Sequence, residues 1–136
     1  MSDLLTKPLA NYSHIRKVGS MVFIAGQGCR DPKTNDYVGL TLDSHGNISA
    51  HDATAQTQGV LLNIERALKS IGLDRNAIVD ATIFLKDIND FPKMNNVWNE
   101  YFNNVNPLPT RTTVCVKDLP GKNFVEIKAI AQDNKS

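Results

Sequence analysis

The chain is poor in cysteine and has no long apolar run. Its two cysteines, Cys29 and Cys115, lie far apart, without the close spacing of zinc or redox motifs. No apolar stretch approaches the roughly 18 residues of a membrane span, and Met1–Tyr12 lacks the basic start and apolar core of a signal peptide. We therefore expect reduced thiols, a cytoplasmic location, no membrane partner and no disulfide framework.

The chain also has almost no net charge. Lys and Arg number 15 against 14 Asp and Glu, which leaves a net charge of +1. Proteins that bind nucleic acid usually carry a basic surface, so we expect no nucleic-acid partner. The three histidines show none of the spacings of metal motifs, and Gly26-Gln27-Gly28 lacks the third glycine of a dinucleotide fingerprint. The sequence thus predicts neither a metal nor another cofactor.

What is present fits one globular domain over residues 1–136, with 41% hydrophobic and 21% charged residues. Short runs rich in β-branched and aromatic residues, separated by turn residues, predict five strands. These strands are His14–Val18, Met21–Ala25, Ile78–Lys86, Arg111–Val116 and Phe124–Ala131. The polar stretch Gln27–Asn47 predicts a long loop, and Asp118–Asn123 predicts the turn of a C-terminal hairpin.

Two helices are predicted between the strands. Apolar residues recur at helical spacing from Val60 to Ile71, with Ser49 as the expected N-cap and Gly72 as the stop. A second helix is expected to begin at Asp90. Helices between strands favour parallel pairing, whereas hairpins pair antiparallel. We therefore expect an α+β fold with one mixed β-sheet and both helices on one face, and the uncovered face favours self-association.

Four polar residues near predicted strand ends are candidates for chemistry. Arg111 suits two parallel hydrogen bonds to a carboxylate, and Glu126 interrupts an apolar strand, where an unpaired carboxylate is costly. The plainer alternatives are a surface ion pair for Arg111 and a solvent-facing position for Glu126. Asn89 lies at a strand-to-helix junction and Tyr12 precedes the first strand, and their alternatives are a turn residue and an aromatic plug.

Cys29 is a further candidate because Arg30 follows it, and a neighbouring positive charge favours a thiolate. No histidine lies near it in sequence to act as a base. A thiol in a turn or in the core is the alternative, and the pattern favours that alternative.

Four segments, in order, resemble the Rid/YjgF superfamily of reactive-intermediate deaminases. They are Gly19–Gln27, Phe84–Phe91, Pro109–Val114 and Val125–Ala131. The resemblance spans almost the whole chain, from Tyr12 to Ala131. It implies a chorismate-mutase-like fold and a cofactor-free homotrimer with active sites in the clefts between subunits. Such proteins hydrolyse enamines or imines of amino acids to 2-oxo acids and ammonia.

The resemblance also implies roles for particular residues. Arg111 matches the arginine that binds the substrate carboxylate, and Glu126 matches the glutamate that positions the hydrolytic water. Tyr12, Asn89 and the backbone of Gly26 match positions that line the cleft. Thr113 falls where many relatives carry cysteine, so a thiol role at that position is in doubt.

Within the superfamily, the chain is most similar to proteins that deaminate 2-aminomuconate. The shared features are the long Gln27–Asn47 connection, the Asp43–Asn47 turn and Gln56-Thr57 in the first helix. A muconate-type substrate carries two carboxylates, so it needs a second cation beyond Arg111. Arg30 is the candidate for this contact, and the alternative is a loop arginine that pairs with Asp31 or Asp36.

Other functions stay open at this point. One is a broad deaminase of 2-imino acids that removes reactive by-products. Another is a ligand-binding trimer without turnover, because a fold does not establish an activity. RNA cleavage is disfavoured by the near-neutral charge and by the absence of a basic aromatic platform.

Overall fold

The computed structural model describes residues 5–134, which form seven strands and two α-helices. In chain order they are β1 (Ile15–Val18), β2 (Met21–Gln27), β3 (Leu40–Leu42), β4 (Ile48–His51), α1 (Ala53–Lys69), β5 (Ile78–Leu85), α2 (Phe91–Tyr101), β6 (Thr110–Cys115) and β7 (Val125–Gln132). Short 3₁₀ turns at Arg75–Ala77 and Ile88–Asp90 precede β5 and α2. No helix in this part of the chain is long and apolar enough to cross a membrane.

Five strands form one mixed sheet in the order β1-β2-β7-β5-β6. β5 and β6 are parallel, and every other pair in this sheet is antiparallel. Both helices lie on one face, where Ile24, Ile83 and Ile127 of the sheet meet Ile64 of α1 and Met94 of α2 in a buried core. The predicted α+β class, with two helices on one face of a mixed sheet, is therefore confirmed.

The stretch predicted as a long loop contains β3 and leads into β4, and these two strands form a separate two-stranded sheet. Asp43 closes this hairpin, because its carboxylate accepts the N–H groups of His45 and Asn47 at 2.8 and 2.9 Å. Gly46 has φ of +80°, the left-handed conformation that glycine adopts without strain. The turn residues were recognised, but the strands beside them are too short and polar to stand out.

The N-cap of α1 is Asp52, and the prediction of Ser49 was wrong. The Asp52 carboxylate accepts the N–H of Ala55 at 3.2 Å. Ser49 lies in β4, where its hydroxyl donates to the Thr41 carbonyl of β3 at 3.1 Å. Both residue types cap helices well, and the hairpin decides between them because Ala50 and His51, which would be the first helical residues after Ser49, belong to β4.

The predicted C-terminal hairpin of β6 and β7 was also wrong. β7 lies between β2 and β5, whereas β6 is an edge strand beside β5. Alternate residues of β7 are fully buried, as a central strand requires, whereas β6 is largely exposed. This order separates Arg111 on β6 from Glu126 on β7 by one strand.

Candidate active site

A cavity of about 420 Å³ lies where β2 ends and β7 begins. Four of the residues predicted from sequence line it together: Tyr12, Gly26, Arg30 and Glu126. His14, Asn63 and Asn123 are among its other walls. The cavity therefore gathers residues from the N-terminal segment, the end of β2, α1 and the start of β7.

Glu126 projects into this cavity across the backbone of Gly26. The register of β2 against β7 shifts between Ile24 and Gln27, so a β-bulge bends the strand at Gly26. A Cβ at Gly26 would lie 2.5 Å from Oε2 of Glu126, so any other residue here would force the carboxylate to move from this position.

The Glu126 carboxylate is half-buried, and no residue among 5–134 donates a hydrogen bond to it or pairs with it. Burial raises the pKa of this carboxyl above its usual value. An unpaired carboxyl that faces a cavity and binds its proton more tightly than usual is suited to accept a proton from water.

Three buried side-chain amides hold the loops around the cavity. Asn63 of α1 donates to the carbonyls of Gly28 and Arg30 at 2.9 and 2.8 Å. Asn123 accepts the N–H of Cys29 at 2.9 Å. Gln56 of α1 is fully buried and bonds to both the segment before β3 and the segment before β7.

His14 and Gln27 connect the end of β2 to the N-terminal segment. The Gln27 amide donates to the Ala25 carbonyl at 3.1 Å, which fixes its orientation, and to Nδ1 of His14 at 3.0 Å. Nδ1 therefore accepts, so the ring carries its hydrogen on Nε2 and donates it to the Thr6 carbonyl. This chain of contacts holds the wall of the cavity that includes Tyr12.

Arg30 forms no ion pair with the neighbouring aspartates, which were the alternative from sequence. Its guanidinium donates to Oδ1 of Asn35 at 2.9 Å and to the carbonyl of Lys7 at 2.8 Å. The Asp31 carboxylate instead accepts the N–H of Lys33 within its own turn. Arg30 thus faces the cavity as a cation whose contacts within residues 5–134 are all to neutral groups.

Arg111 lies elsewhere, between β6 and α2. Its guanidinium donates to Oδ1 of Asn95 at 2.8 Å and lies 5.2 Å from the centre of the Trp98 ring. Burial lowers the pKa of this guanidinium, yet an arginine retains its charge in proteins. The contact with Asn95 leaves most of its N–H groups available to a ligand.

The other two predicted substrate-binding residues accompany Arg111 rather than Glu126. Thr113 is two residues along β6, and its buried hydroxyl has no hydrogen-bond partner within residues 5–134. Asn89 is exposed in the 3₁₀ turn before α2, where its N–H donates to the Asp87 carboxylate. Neither residue lines the Glu126 cavity, so the predicted site is divided into two halves.

Strand geometry keeps the two halves apart within one chain. Arg111 lies opposite Ala81 of β5, which lies opposite Ala129 of β7, so these three residues share the helix-covered face. Glu126 is three residues from Ala129 and points to the other face. Two strand spacings and three residues along a strand give about 14 Å between the backbones of Arg111 and Glu126. One small substrate cannot contact both side chains of the same chain.

Sequence reasoning missed the buried polar residues behind the cavity. Asn63 interrupts the apolar stripe of α1 beside Ile64, and a buried amide in such a stripe was the available signal. Cys29 is a core thiol: it is buried, and burial raises its pKa to about 11, so a reactive thiolate is contradicted. Among residues 5–134, no three His, Cys, Asp or Glu side chains are grouped to hold a metal ion.

Comparison with known proteins agrees with the family resemblance. A family model described as endoribonuclease L-PSP matches residues 4–133. A RutC family protein of Pyrococcus horikoshii is 42% identical over 125 residues, which cover 92% of this chain and 89% of that protein. A 2-iminobutanoate/2-iminopropanoate deaminase of Dermatophagoides farinae is 30% identical over 95% of this chain and 91% of its own length.

A solved structure supports the same assignment. A protein of the conserved Rid family from Yersinia pestis superposes with a TM-score of 0.84 at 30% identity, covering 97% of this chain and 95% of that chain. Sequence match, fold and nearly full coverage agree, so the chain belongs to the Rid/YjgF family, whose model is described as endoribonuclease L-PSP.

Proposed function

We propose that this protein is a cofactor-free hydrolytic deaminase of enamines and imines that carry a carboxylate. The observation that supports it most strongly is the unpaired, half-buried carboxylate of Glu126 in a cavity large enough for a small acid. The deaminase named among the relatives acts on this class of compound.

The chemistry follows from two groups. After an enamine tautomerises to the imine, water attacks the imine carbon while Glu126 accepts a proton from that water. Glu126 passes that proton to the nitrogen, so the tetrahedral carbon bears a hydroxyl and an amine. Glu126 then takes the hydroxyl proton and delivers it to the amine as the C=O forms and the C–N bond breaks, and ammonia and a 2-oxo acid are released. Arg111 holds the adjacent carboxylate, so that the carbon is oriented toward the water.

The site requires two copies of the chain, because Arg111 and Glu126 point to opposite faces of one sheet. We place Arg111, Asn89 and Thr113 of one subunit against the Glu126 cavity of the next. The uncovered sheet face, toward which Glu126 points, supports this arrangement. The number of subunits, three, comes from the family resemblance stated above.

Mixed oligomers test both the residues and the arrangement. Arg111→Ala alone should lower kcat/KM by roughly 30- to 1,000-fold, and Glu126→Gln alone should also be nearly inactive. When equal amounts are unfolded and refolded together, about a quarter of the sites combine an intact Arg111 with an intact Glu126. Recovery of about a quarter of wild-type activity is expected, whereas a mixture as inactive as its parents would overturn the shared site.

The specific substrate we propose is 2-aminomuconate, converted to 4-oxalocrotonate (2-hydroxymuconate) and ammonia. The sequence features of the Gln27–Asn47 connection and the position of Arg30 in the cavity support it. A broad 2-imino acid deaminase is the alternative that the Dermatophagoides relative favours. Measuring ammonia release from 2-aminomuconate and from 2-iminopropanoate with one preparation separates the two hypotheses. A higher kcat/KM for 2-iminopropanoate would reject 2-aminomuconate as the specific substrate.

RNA cleavage, which the family description names, is the competing activity. The net charge of +1 and a cavity with a carboxylate in its wall disfavour a polyanionic ligand. We expect no hydrolysis of single-stranded RNA by a preparation that releases ammonia from an imine. Cleavage that disappears in Glu126→Gln would contradict this expectation.

A further inference from the structure

A second chamber, of about 690 Å³, adjoins the Glu126 cavity. Thr6, His14 and Arg30 line both, so the two cavities adjoin and Arg30 lies at their boundary. Together they exceed what a three-carbon imino acid fills. The deaminase chemistry at Glu126 uses only one end of it.

Among residues 5–134, the second chamber is lined by positive charge and by no acid. Lys7 and Arg30 are among its walls, and no Asp or Glu of residues 5–134 is. Arg30 uses N–H groups on the neutral oxygens of Asn35 and Lys7, and a guanidinium carries five such donors. The remaining N–H donors of Arg30 and its positive charge are thus available to bind an anion.

Arg30 is also held in position before any ligand binds. Asn63 fixes its backbone through the carbonyl, and Asn35 fixes its side chain. Asn35 has φ of +65°, a left-handed conformation that is uncommon outside glycine and is tolerated by asparagine. Because asparagine tolerates this conformation, Asn35 can hold its side-chain oxygen against the guanidinium, and the cation is oriented before an anion arrives.

The nearby histidine does not provide the anion contact. Both ring nitrogens of His14 are occupied, Nδ1 by the Gln27 amide and Nε2 by the Thr6 carbonyl. An anion between the two cavities therefore meets Arg30, with Lys7 beside it in the lining of the second chamber.

We propose that this chamber is a distal anion subsite that binds the second carboxylate of a dianionic enamine or imine acid. The inference rests on the proposed deaminase function, since it places the reacting carbon at Glu126 and the far carboxylate at Arg30. It makes Arg30 the residue that selects dicarboxylates over short monocarboxylates. Lys7, whose carbonyl accepts from the Arg30 guanidinium, adds a second positive charge beside it.

Binding of unreactive acids tests the subsite without turnover. Muconate and sorbate share a six-carbon diene chain and differ in the second carboxylate, so calorimetric titration of both isolates that group. Wild-type protein should bind muconate at least tenfold more tightly than sorbate. Arg30→Gln should weaken the binding of muconate roughly ten- to a hundredfold and the binding of sorbate less than twofold. Lys33→Gln, a loop lysine that lines neither chamber, is the matched control and should change neither.

Two controls separate the loss of the anion contact from a loss of structure. Thermal unfolding checks that each variant is folded, and the second control is the Arg30→Lys variant. Arg30→Lys keeps the charge without the fork of donors, so it should retain part of the preference for muconate. Equal affinity of the wild type for the two acids, or equal losses on both in folded Arg30→Gln, would overturn the subsite.

The same proteins separate this inference from the proposed function. If muconate binding depends on Arg30 but no imine releases ammonia, the deaminase assignment fails and the anion subsite stands. If ammonia is released and Arg30→Gln has the same kcat/KM on 2-aminomuconate as the wild type, the subsite fails and the deaminase stands.

Discussion

Glu126 and Gly26 show how one missing side chain makes room for a half-buried carboxylate. The carboxylate occupies the space that a Cβ at Gly26 would fill, and no hydrogen bond from residues 5–134 satisfies it. A group in this position binds its proton more tightly because burial disfavours the charged form. The same environment that makes Glu126 a better base makes it a cost to the fold.

Glu126→Gln is expected to change the pH dependence of activity as well as its level. Only the ionised carboxylate accepts a proton, so the acid limb of the wild-type kcat/KM profile should lie above the ordinary glutamate pKa of about 4.3. The variant should lose roughly 100-fold or more and lose that limb. Glu100→Gln, at an exposed glutamate of α2, is the control, and an unchanged acid limb in Glu126→Gln would assign the base elsewhere.

The same substitution is expected to preserve or raise stability at neutral pH. Because the pKa of Glu126 is raised in the folded protein, folding takes up a proton between the unfolded and folded pKa values. The free energy of unfolding therefore falls as pH rises through that window, and above it the ionised carboxylate destabilises the folded protein. Urea unfolding at pH 7 measures this, and a markedly less stable Glu126→Gln would contradict the sign.

At the scale of elements, α1 supports the site more than it contributes to it. Its buried Gln56 donates to the carbonyls of Val38 and Lys122 at 3.1 and 3.2 Å and accepts the N–H of Phe124 at 2.7 Å. One side chain thus joins the helix to two segments, one of which leads into β7 two residues before Glu126. The position of the carboxylate depends on a helix that it does not touch.

Gln56→Met is expected to lower the free energy of unfolding by about 3 kcal/mol, since it leaves three buried backbone groups without their partner. Urea titration followed by the fluorescence of Trp98 measures this, at matched protein concentration. Gln58→Met, at an exposed position of the same helix, should change stability by less than about 0.5 kcal/mol. If Gln56→Met lowers the free energy of unfolding by no more than about 0.5 kcal/mol, water takes over the hydrogen bonds of the missing amide.

At the scale of the whole molecule, the helices leave one sheet face uncovered, and this face carries exposed apolar side chains. Val18, Phe23 and Val114 point away from the helices and are 56%, 39% and 39% exposed. Polar residues such as Thr82 and Lys128 lie among them, so the face is mixed rather than uniformly apolar. Such a surface suits an interface between copies of the chain, which the proposed shared active site would need.

Phe23→Asp is expected to convert a homotrimer into monomers, because it places a charge in the middle of that interface. Light scattering should give three times the chain mass for the wild type and one chain mass for the variant. Deaminase activity should be lost while far-ultraviolet circular dichroism is retained. Leu62→Asp replaces an exposed leucine on the helix side and should stay trimeric, and a trimeric Phe23→Asp would place the interface elsewhere.

Local periodicity was sufficient for most elements and for the fold class. The apolar stripe from Val60 to Leu68 and the alternation in β7 depend on neighbours in sequence, so both were predicted correctly. The cysteines, charge balance and absence of metal spacing were likewise properties of the sequence alone. The expected cytoplasmic location and the roles of the site residues stay predictions.

Tertiary structure decided what depends on pairing between distant segments. Whether β7 joins β6 or inserts beside β2 changes no local pattern, yet it places Arg111 and Glu126 on opposite faces of the sheet. The partners of Arg30 were likewise not determined by the sequence. The sequence offered the nearby aspartates as ion-pair partners, whereas the structure shows hydrogen bonds to Asn35 and Lys7. The sequence determined which groups are available, and strand order determined which of them meet, because side-chain direction is set by register between strands that lie far apart in the chain.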